Sequence, residues 1–163
     1  MNLTFKAINE KDLNYIKSIY DYYILNTFYT FHTLRISHKE LKNTIEINHP
    51  TYKSYIIQLD NKNIGYCYIS AFKKRQAYNR SAEITIYLEP DFTGKGIGKH
   101  ILVFLEKEAK KSNIKVLVGV ITANNNSSIK LFEHCGYKKC AHYKNIGEKF
   151  GQVLDVVAYQ KEI

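Results

Sequence analysis

The sequence predicts an α/β fold, a mixed sheet with helices on its faces. Three observations carry this. Short β-branched and apolar runs alternate along the chain with segments whose apolar residues recur every three or four positions. Cap and turn residues separate the two kinds of segment. With 163 residues, 45% of them hydrophobic, the chain suffices for one domain, residues 1–163, with a full core.

In order, Leu3 to Ala7 alternates as a first strand. Asn9 followed by Asp12 reads as an N-cap, and Leu13, Ile16, Tyr20 and Tyr23 then recur on one face of a helix. The aromatic and threonine-rich stretch from Asn26 to Arg35 breaks that period. Ser37-His38-Lys39-Glu40 is a capping box for a second helix reaching about Asn48, which His49-Pro50 ends. Tyr55 to Leu59 and Ile64 to Ser70 read as strands joined by a turn at Asp60-Asn61-Lys62-Asn63. Ala82 to Leu88 is a strongly β-branched strand. A helix from about Gly96 carries Gly98, Ile101, Leu102, Leu105 and Ala109 on one face. Val116 to Ile121 is a buried strand, and Ser127 to His134 a short helix closed by Gly136. Two strands, near Tyr137 to Tyr143 and Val153 to Gln160, complete the order β-α-α-β-β-β-α-β-α-β-β.

Composition narrows the function classes. No apolar run reaches the roughly 20 residues that span a bilayer, and the N-terminus has no secretion-signal pattern, so a cytoplasmic protein is expected. Three cysteines without a CxxC motif fit a reducing compartment. His134, Cys135, Cys140 and His142 lie close in sequence but match no common zinc spacing, and no metal is expected. The net charge of +9 suits a polyanionic partner but is spread along the chain, and no nucleic-acid motif accompanies it.

The most informative segment runs from the strand at Tyr87 through Thr93-Gly94-Lys95-Gly96-Ile97-Gly98-Lys99 into an amphipathic helix. Glycines admit close backbone approach and positive φ, and the unpaired amides of a helix start attract phosphate oxygens. Together they make a diphosphate cradle built largely from backbone. A Walker loop fails here, because His100 follows Gly98-Lys99 and Thr93 stands where the upstream glycine belongs. A dinucleotide fingerprint is only weakly matched, with Lys99 at its last glycine position and the loop in mid-chain.

This loop resembles the coenzyme-A loop, Arg/Gln-x-x-Gly-x-Gly/Ala, of the GNAT superfamily of N-acetyltransferases, with Thr93 at the leading Arg/Gln position. Asn125-Asn126-Ser127-Ser128-Ile129-Lys130-Leu131-Phe132-Glu133-His134-Cys135-Gly136-Tyr137 is similar to the superfamily's second motif. Within it, the chain is most similar to the phosphinothricin and methionine sulfoximine N-acetyltransferases. The similar segments are Ile19 to Tyr23 with Thr27 and Phe31, Lys73 to Tyr78 with Ala82-Glu83, and Gly147 to Gly151 with Leu154-Asp155. Gln152-Val153 stands where that group usually has Arg-Trp.

The resemblance implies a mainly antiparallel sheet with helices on both faces, acetyl-CoA as cosubstrate, a small-molecule amine as acceptor, and a homodimer. It implies that Gly94, Lys95, Gly96, Ile97, Gly98 and Lys99 hold the diphosphate, Asn125 the pantetheine arm, and that His134 contacts coenzyme A. The arm is expected to add along Ile86, Tyr87 and Leu88 like an extra strand, where an amide can stabilise the oxyanion. Glu83 falls at the position of the family's proposed base, acting directly or through water. Lys73, Lys74, Arg75, Glu83, Ile84 and Thr85 make up the expected acceptor side, with Lys73 and Arg75 either holding an anionic group or forming a solvated basic turn. Tyr20, Tyr23, Thr27 and Phe31 either wall the acceptor pocket or belong to the core. Phe132 occupies the usual Tyr or His position of the general acid, and no acid is assigned. The alternatives are another amine acceptor (an antibiotic, a polyamine or a protein N-terminus), a non-catalytic coenzyme-A-binding regulator, and a basic nucleic-acid-binding module.

Overall fold

The computed structural model describes residues 2–163. Strands β1 (Leu3–Ala7), β2 (Ser54–Leu59), β3 (Lys62–Ala71) and β4 (Ser81–Leu88) are successive antiparallel neighbours. β5 (Val116–Thr122) joins β4 in parallel, and the hairpin of β6 (Lys138–Lys149) and β7 (Gln152–Glu162) completes one seven-stranded sheet, order β1-β2-β3-β4-β5-β7-β6. Helices α1 (Leu13–Asn26) and α2 (His38–Thr44) cover one face, and α3 (Ile97–Lys111) and α4 (Asn126–His134) the other. The sheet is mixed and mainly antiparallel with helices on both faces, as the resemblance implied.

Period-two burial divides the interior. Ile56 and Ile57 are neighbours on β2 and both 0% exposed, yet Ile56 packs with Ile16, Ile24 and Leu41 while Ile57 packs with Ile101, Leu102 and Leu105. Each fully buried Ile or Leu contributes roughly 1.5–3 kcal/mol. Ile97, Ile101, Leu102, Leu105 and Ala109, the core residues of α3, therefore anchor firmly the helix whose N-terminus carries the glycine loop.

Local chemistry explains most boundaries. Asn9 accepts from the Lys11 N–H, and Asp12 accepts from the Asn9 N–H, opening a 3-10 turn at Glu10–Asp12 that leads into α1. Asp60 and Asn61 both have positive φ (48° and 67°), so the β2–β3 connection is a two-residue turn and β3 starts earlier than the expected four-residue turn allows. α2 ends at Thr44 rather than near Asn48. Ile45 there takes extended dihedrals (φ −101°, ψ 121°) that bury it in the core, and Asn48 has a φ of 57° that no right-handed helix accepts. β6 runs on to Lys149, well beyond the expected Tyr143. Irregularities at Lys139/Ala141 and Tyr143/Gly147 break the alternation that sequence reading depends on.

One feature of the sheet positions the site. β4 pairs with β3 along Ala82–Leu88, but with β5 only through Ser81, Glu83 and the residue between them. β5 meanwhile pairs with β7 along its whole length. The sheet therefore opens after Glu83, leaving one edge of Ile84–Leu88 free of strand partners.

Candidate active site

A cleft of about 550 Å³ occupies this opening. Its floor is Ile84, Thr85, Ile86, Tyr87 and Leu88 of β4 together with Gly119, Val120 and Ile121 of β5. The start of α3 and α4 wall it on one face of the sheet, and Tyr22, Tyr23, Thr27 and Tyr29, from α1 and the loop after it, wall it on the other.

The α3 side is backbone. Gly94 and Gly96 adopt φ of 70° and 77°, and a Cβ built on either meets nothing within 4 Å. The constraint there is conformational, and the space beside them is open. Gly96 is the N-cap of α3 and supplies no side-chain cap, so the first amides of the helix keep their hydrogen-bonding capacity. Gly98 serves differently: a Cβ would lie 2.7 Å from Leu131 Cδ2, so its bareness lets α3 close on α4. Gly94, Gly96, Ile97 and Gly98 all line the cleft. Lys95 and Lys99 are exposed and do not, the Lys95 ammonium lying 5.4 Å from the Phe92 ring centroid. The Thr93 hydroxyl donates to Pro90 O (2.8 Å), a local contact.

On α4, Asn125 is buried and accepts from the Ser128 N–H (3.1 Å) through Oδ1, capping the helix at the cleft wall. His134 lines the outer end with Lys130; its Nδ1 is 2.6 Å from the Lys130 carbonyl and therefore carries the proton. Phe132 is buried, edge-on to Tyr137 at 4.9 Å, and a Cβ on Gly119 would lie 2.3 Å from its ring. The ring fills the space that Gly119 leaves and brings no proton donor.

Glu83 is the last β4 residue paired with β5, one position before the cleft floor begins, and is not itself part of the lining. By parity with Tyr87 it belongs to the α1/α2 face of the sheet. Burial raises its carboxyl above the usual range, and the Lys73 charge opposes that shift. Lys73, Lys74 and Arg75 are exposed on the β3–β4 connection and do not converge on the cleft; Lys73 alone reaches Glu83 with its charge. Of the aromatic wall candidates, Tyr23 and Thr27 line the cleft, whereas Tyr20 is buried behind it and Phe31 is exposed outside. The Tyr23 hydroxyl donates to Leu88 O (2.8 Å), pinning α1 to the end of β4, and burial pushes its pKa up to about 12.

Sequence reasoning missed Tyr22 and Tyr29, the β5 residues Gly119 to Ile121, and Ser127, Ser128, Lys130 and Leu131. A uniformly apolar strand gives no hint of which residues face a gap, although Gly119 within it was a signal of close approach. Among the described residues no three His, Cys, Asp or Glu side chains are grouped to hold a metal. His142 instead pairs with Asp155 at 2.7 Å.

A family model described as Acetyltransferase (GNAT) domain matches residues 5–158. The phosphinothricin N-acetyltransferase of Streptomyces coelicolor is 26% identical over 159 residues, covering 94% of this chain and 92% of that protein. The L-methionine sulfoximine/L-methionine sulfone acetyltransferase of Salmonella typhimurium is 29% identical over 99 residues, 61% of this chain and 58% of that protein. Among solved structures, a GNAT superfamily phosphinothricin acetyltransferase from Sinorhizobium meliloti in complex with AcCoA superposes with a TM-score of 0.91 at 31% identity, covering 100% of this chain and 89% of that one. A glycine cradle at a helix start, a sheet that opens beside it, and a family model spanning nearly all residues agree: the chain is an acyltransferase and belongs to the GNAT acetyltransferase family.

Proposed function

We propose that the chain transfers the acetyl group of acetyl-CoA to the primary amine of a small amino-acid-like acceptor, of the phosphinothricin or methionine sulfoximine type, with Glu83 as base. The observation that carries this reading is the parting of β4 from β5 directly after Glu83, beside the glycine cradle. The residues present suit acetyl-CoA: open space beside two left-handed glycines, uncapped helix amides, and a free strand edge leading away from them.

Acetyl-CoA supplies the activated acyl group as a thioester. The amides around Gly94 to Lys99 bind the diphosphate, and the free edge of Ile86 to Leu88 aligns the pantetheine arm as an added strand would, with Asn125 beside it. Glu83 takes the proton of the attacking amine, directly or through water; its raised pKa makes the carboxylate a stronger base than an exposed one. A β4 amide stabilises the developing oxyanion. A thiol pKa of roughly 8.5 lets the thiolate leave without a proton, which accommodates Phe132. Lys73 supplies positive charge near Glu83 for an anionic group on the acceptor, with Lys74 and Arg75 on the same exposed connection.

Residues 1–163 act as one domain in this reading. The three free cysteines accord with a cytoplasmic enzyme, and exposed Tyr143, Ile146 and Val153 on the β6–β7 hairpin supply apolar surface for a homodimer. Thiol release from acetyl-CoA, measured across phosphinothricin, methionine sulfoximine, a polyamine, an aminoglycoside and a peptide N-terminus, tests the proposal. The expected result is the highest kcat/KM on the two amino-acid analogues. Preference for another amine overturns the acceptor class, and no turnover with any of them overturns the enzymatic assignment.

A further inference from the structure

Lys149 is the least expected buried side chain outside the cleft. It is 3% exposed, and no carboxylate lies within salt-bridge distance of it among the described residues. Lysines are rarely buried without a charged partner. Its ammonium donates one hydrogen bond, to the backbone carbonyl of Thr30 at 3.0 Å, and lies 5.0 Å from the Phe150 ring centroid. Desolvation pushes its pKa down, as an unpaired buried cation requires.

Phe150 is unusual in its own right. It has a φ of 50° in the two-residue turn, with Gly151 at 71°, that closes the Lys149–Gln152 pair. Turns of this kind favour Asn or Gly at the first position, and a bulky residue there is an outlier. Its ring meets Phe28 edge-on at 5.4 Å. The tip of the β6–β7 hairpin therefore grips the α1–α2 loop with both of its unusual residues.

The gripped residues and the cleft residues of that loop alternate. Phe28 meets Phe150 and accepts from the Thr122 hydroxyl (2.8 Å) through its carbonyl. Thr30 is buried, accepts from Lys149, and donates its hydroxyl to Tyr20 (2.9 Å). Between and before them, Tyr29 and Thr27 line the cleft. The segment is bent here, with the Tyr29 N–H donating to Thr27 Oγ1 (3.1 Å), so holding Phe28 and Thr30 on either side of Tyr29 limits where the cleft residues can stand. A charge-assisted hydrogen bond is the stronger kind available for that purpose.

We propose that the hairpin tip is a clamp on the α1 side of the cleft, with Lys149 a positioning residue that sets Thr27 and Tyr29 against the incoming amine. The proposal rests on the amine-acetyltransferase reading above. Two variants test it, Lys149→Met and Phe150→Asn, measured for acceptor KM, kcat, acetyl-CoA affinity by calorimetry, amide hydrogen exchange over residues 27–31, and thermal midpoint. Both variants are expected to raise acceptor KM about tenfold with smaller change in kcat. Acetyl-CoA affinity stays within about twofold, since the glycine loop belongs to the opposite face of the sheet. Exchange over residues 27–31 speeds up while the midpoint does not fall, because Met removes an unpaired buried cation and Asn suits the left-handed turn.

Unchanged acceptor KM and exchange in the folded variants overturn the clamp. So does a fall in midpoint accompanied by equal losses toward acceptor and acetyl-CoA, the mark of a merely structural role. If the wild-type protein acetylates no amine, the functional reading fails, and the exchange measurement still decides whether Lys149 holds the loop.

Discussion

On the α3 face of the cleft the chain presents backbone: two left-handed glycines and the open amides of a helix start, all within six consecutive residues. On the α1 face it presents side chains: Tyr22 and Tyr23 of α1 and Thr27 and Tyr29 of the loop after it, held in place by contacts from remote segments. A backbone site tolerates side-chain change and fails when dihedrals change. A side-chain site does the opposite, and depends on whatever holds its segments together. In the proposed reading donor affinity and choice of acceptor are then separable, and substitutions on one face should leave the other nearly untouched.

The largest expected effect comes from Glu83→Gln. Turnover should fall by about 10²–10⁴-fold, the usual contribution of a general base, with acetyl-CoA affinity near that of the wild type. The stability sign runs the other way. A carboxyl whose folded pKa is raised contributes stability below its unfolded pKa and loses it as pH rises through the folded value. At neutral pH the Gln variant should therefore melt no lower than the wild type, which a thermal scan checks. Unchanged turnover would remove Glu83 from the mechanism.

Gly96→Val attacks the backbone face. No atom lies within 4 Å of the new Cβ, so the whole cost is the left-handed dihedral, about 1–3 kcal/mol. If the loop relaxes to escape that strain, acetyl-CoA affinity falls by about ten- to a hundredfold while acceptor KM, extrapolated to saturating donor, holds. Calorimetry showing wild-type affinity would break the comparison.

Lys73→Met has a subtler effect. Its charge opposes the rise in the Glu83 pKa, so its removal moves the acid limb of the kcat/KM profile to higher pH. A static acid limb would mean that Glu83 and Lys73 do not communicate in the working enzyme. The smallest effect is expected from Phe132→Tyr, less than about threefold in turnover, because a thiolate of moderate basicity leaves unaided. A gain above tenfold in steady-state assays would instead reveal protonation as limiting.

The legibility of the molecule follows the same division. Gly94, Gly96 and the amphipathic pattern after them announced a left-handed glycine loop opening a helix, because such a loop is a local device with a local signature. Glu83 stood out as a carboxylate on an otherwise β-branched strand. Lys149 gave no such sign: in sequence it is one basic residue of many, and only the approach of Thr30, 119 positions away, makes it a buried donor. The end of α2 is not legible locally, because the burial of Ile45 outweighs a helical pattern that runs on past it.

By itself the sequence determined the element order, the α/β class, the helix caps and the glycine cradle, since each depends on dihedral preference and on periodicity within one stretch of chain. Only the tertiary structure decided that β4 and β5 part after Glu83, that Lys73 faces this carboxylate while Lys74 and Arg75 do not, and that the β6–β7 tip grips the α1–α2 loop. These are meetings between remote segments. They are set by how two cores pack on opposite faces of one sheet, and no local pattern encodes them.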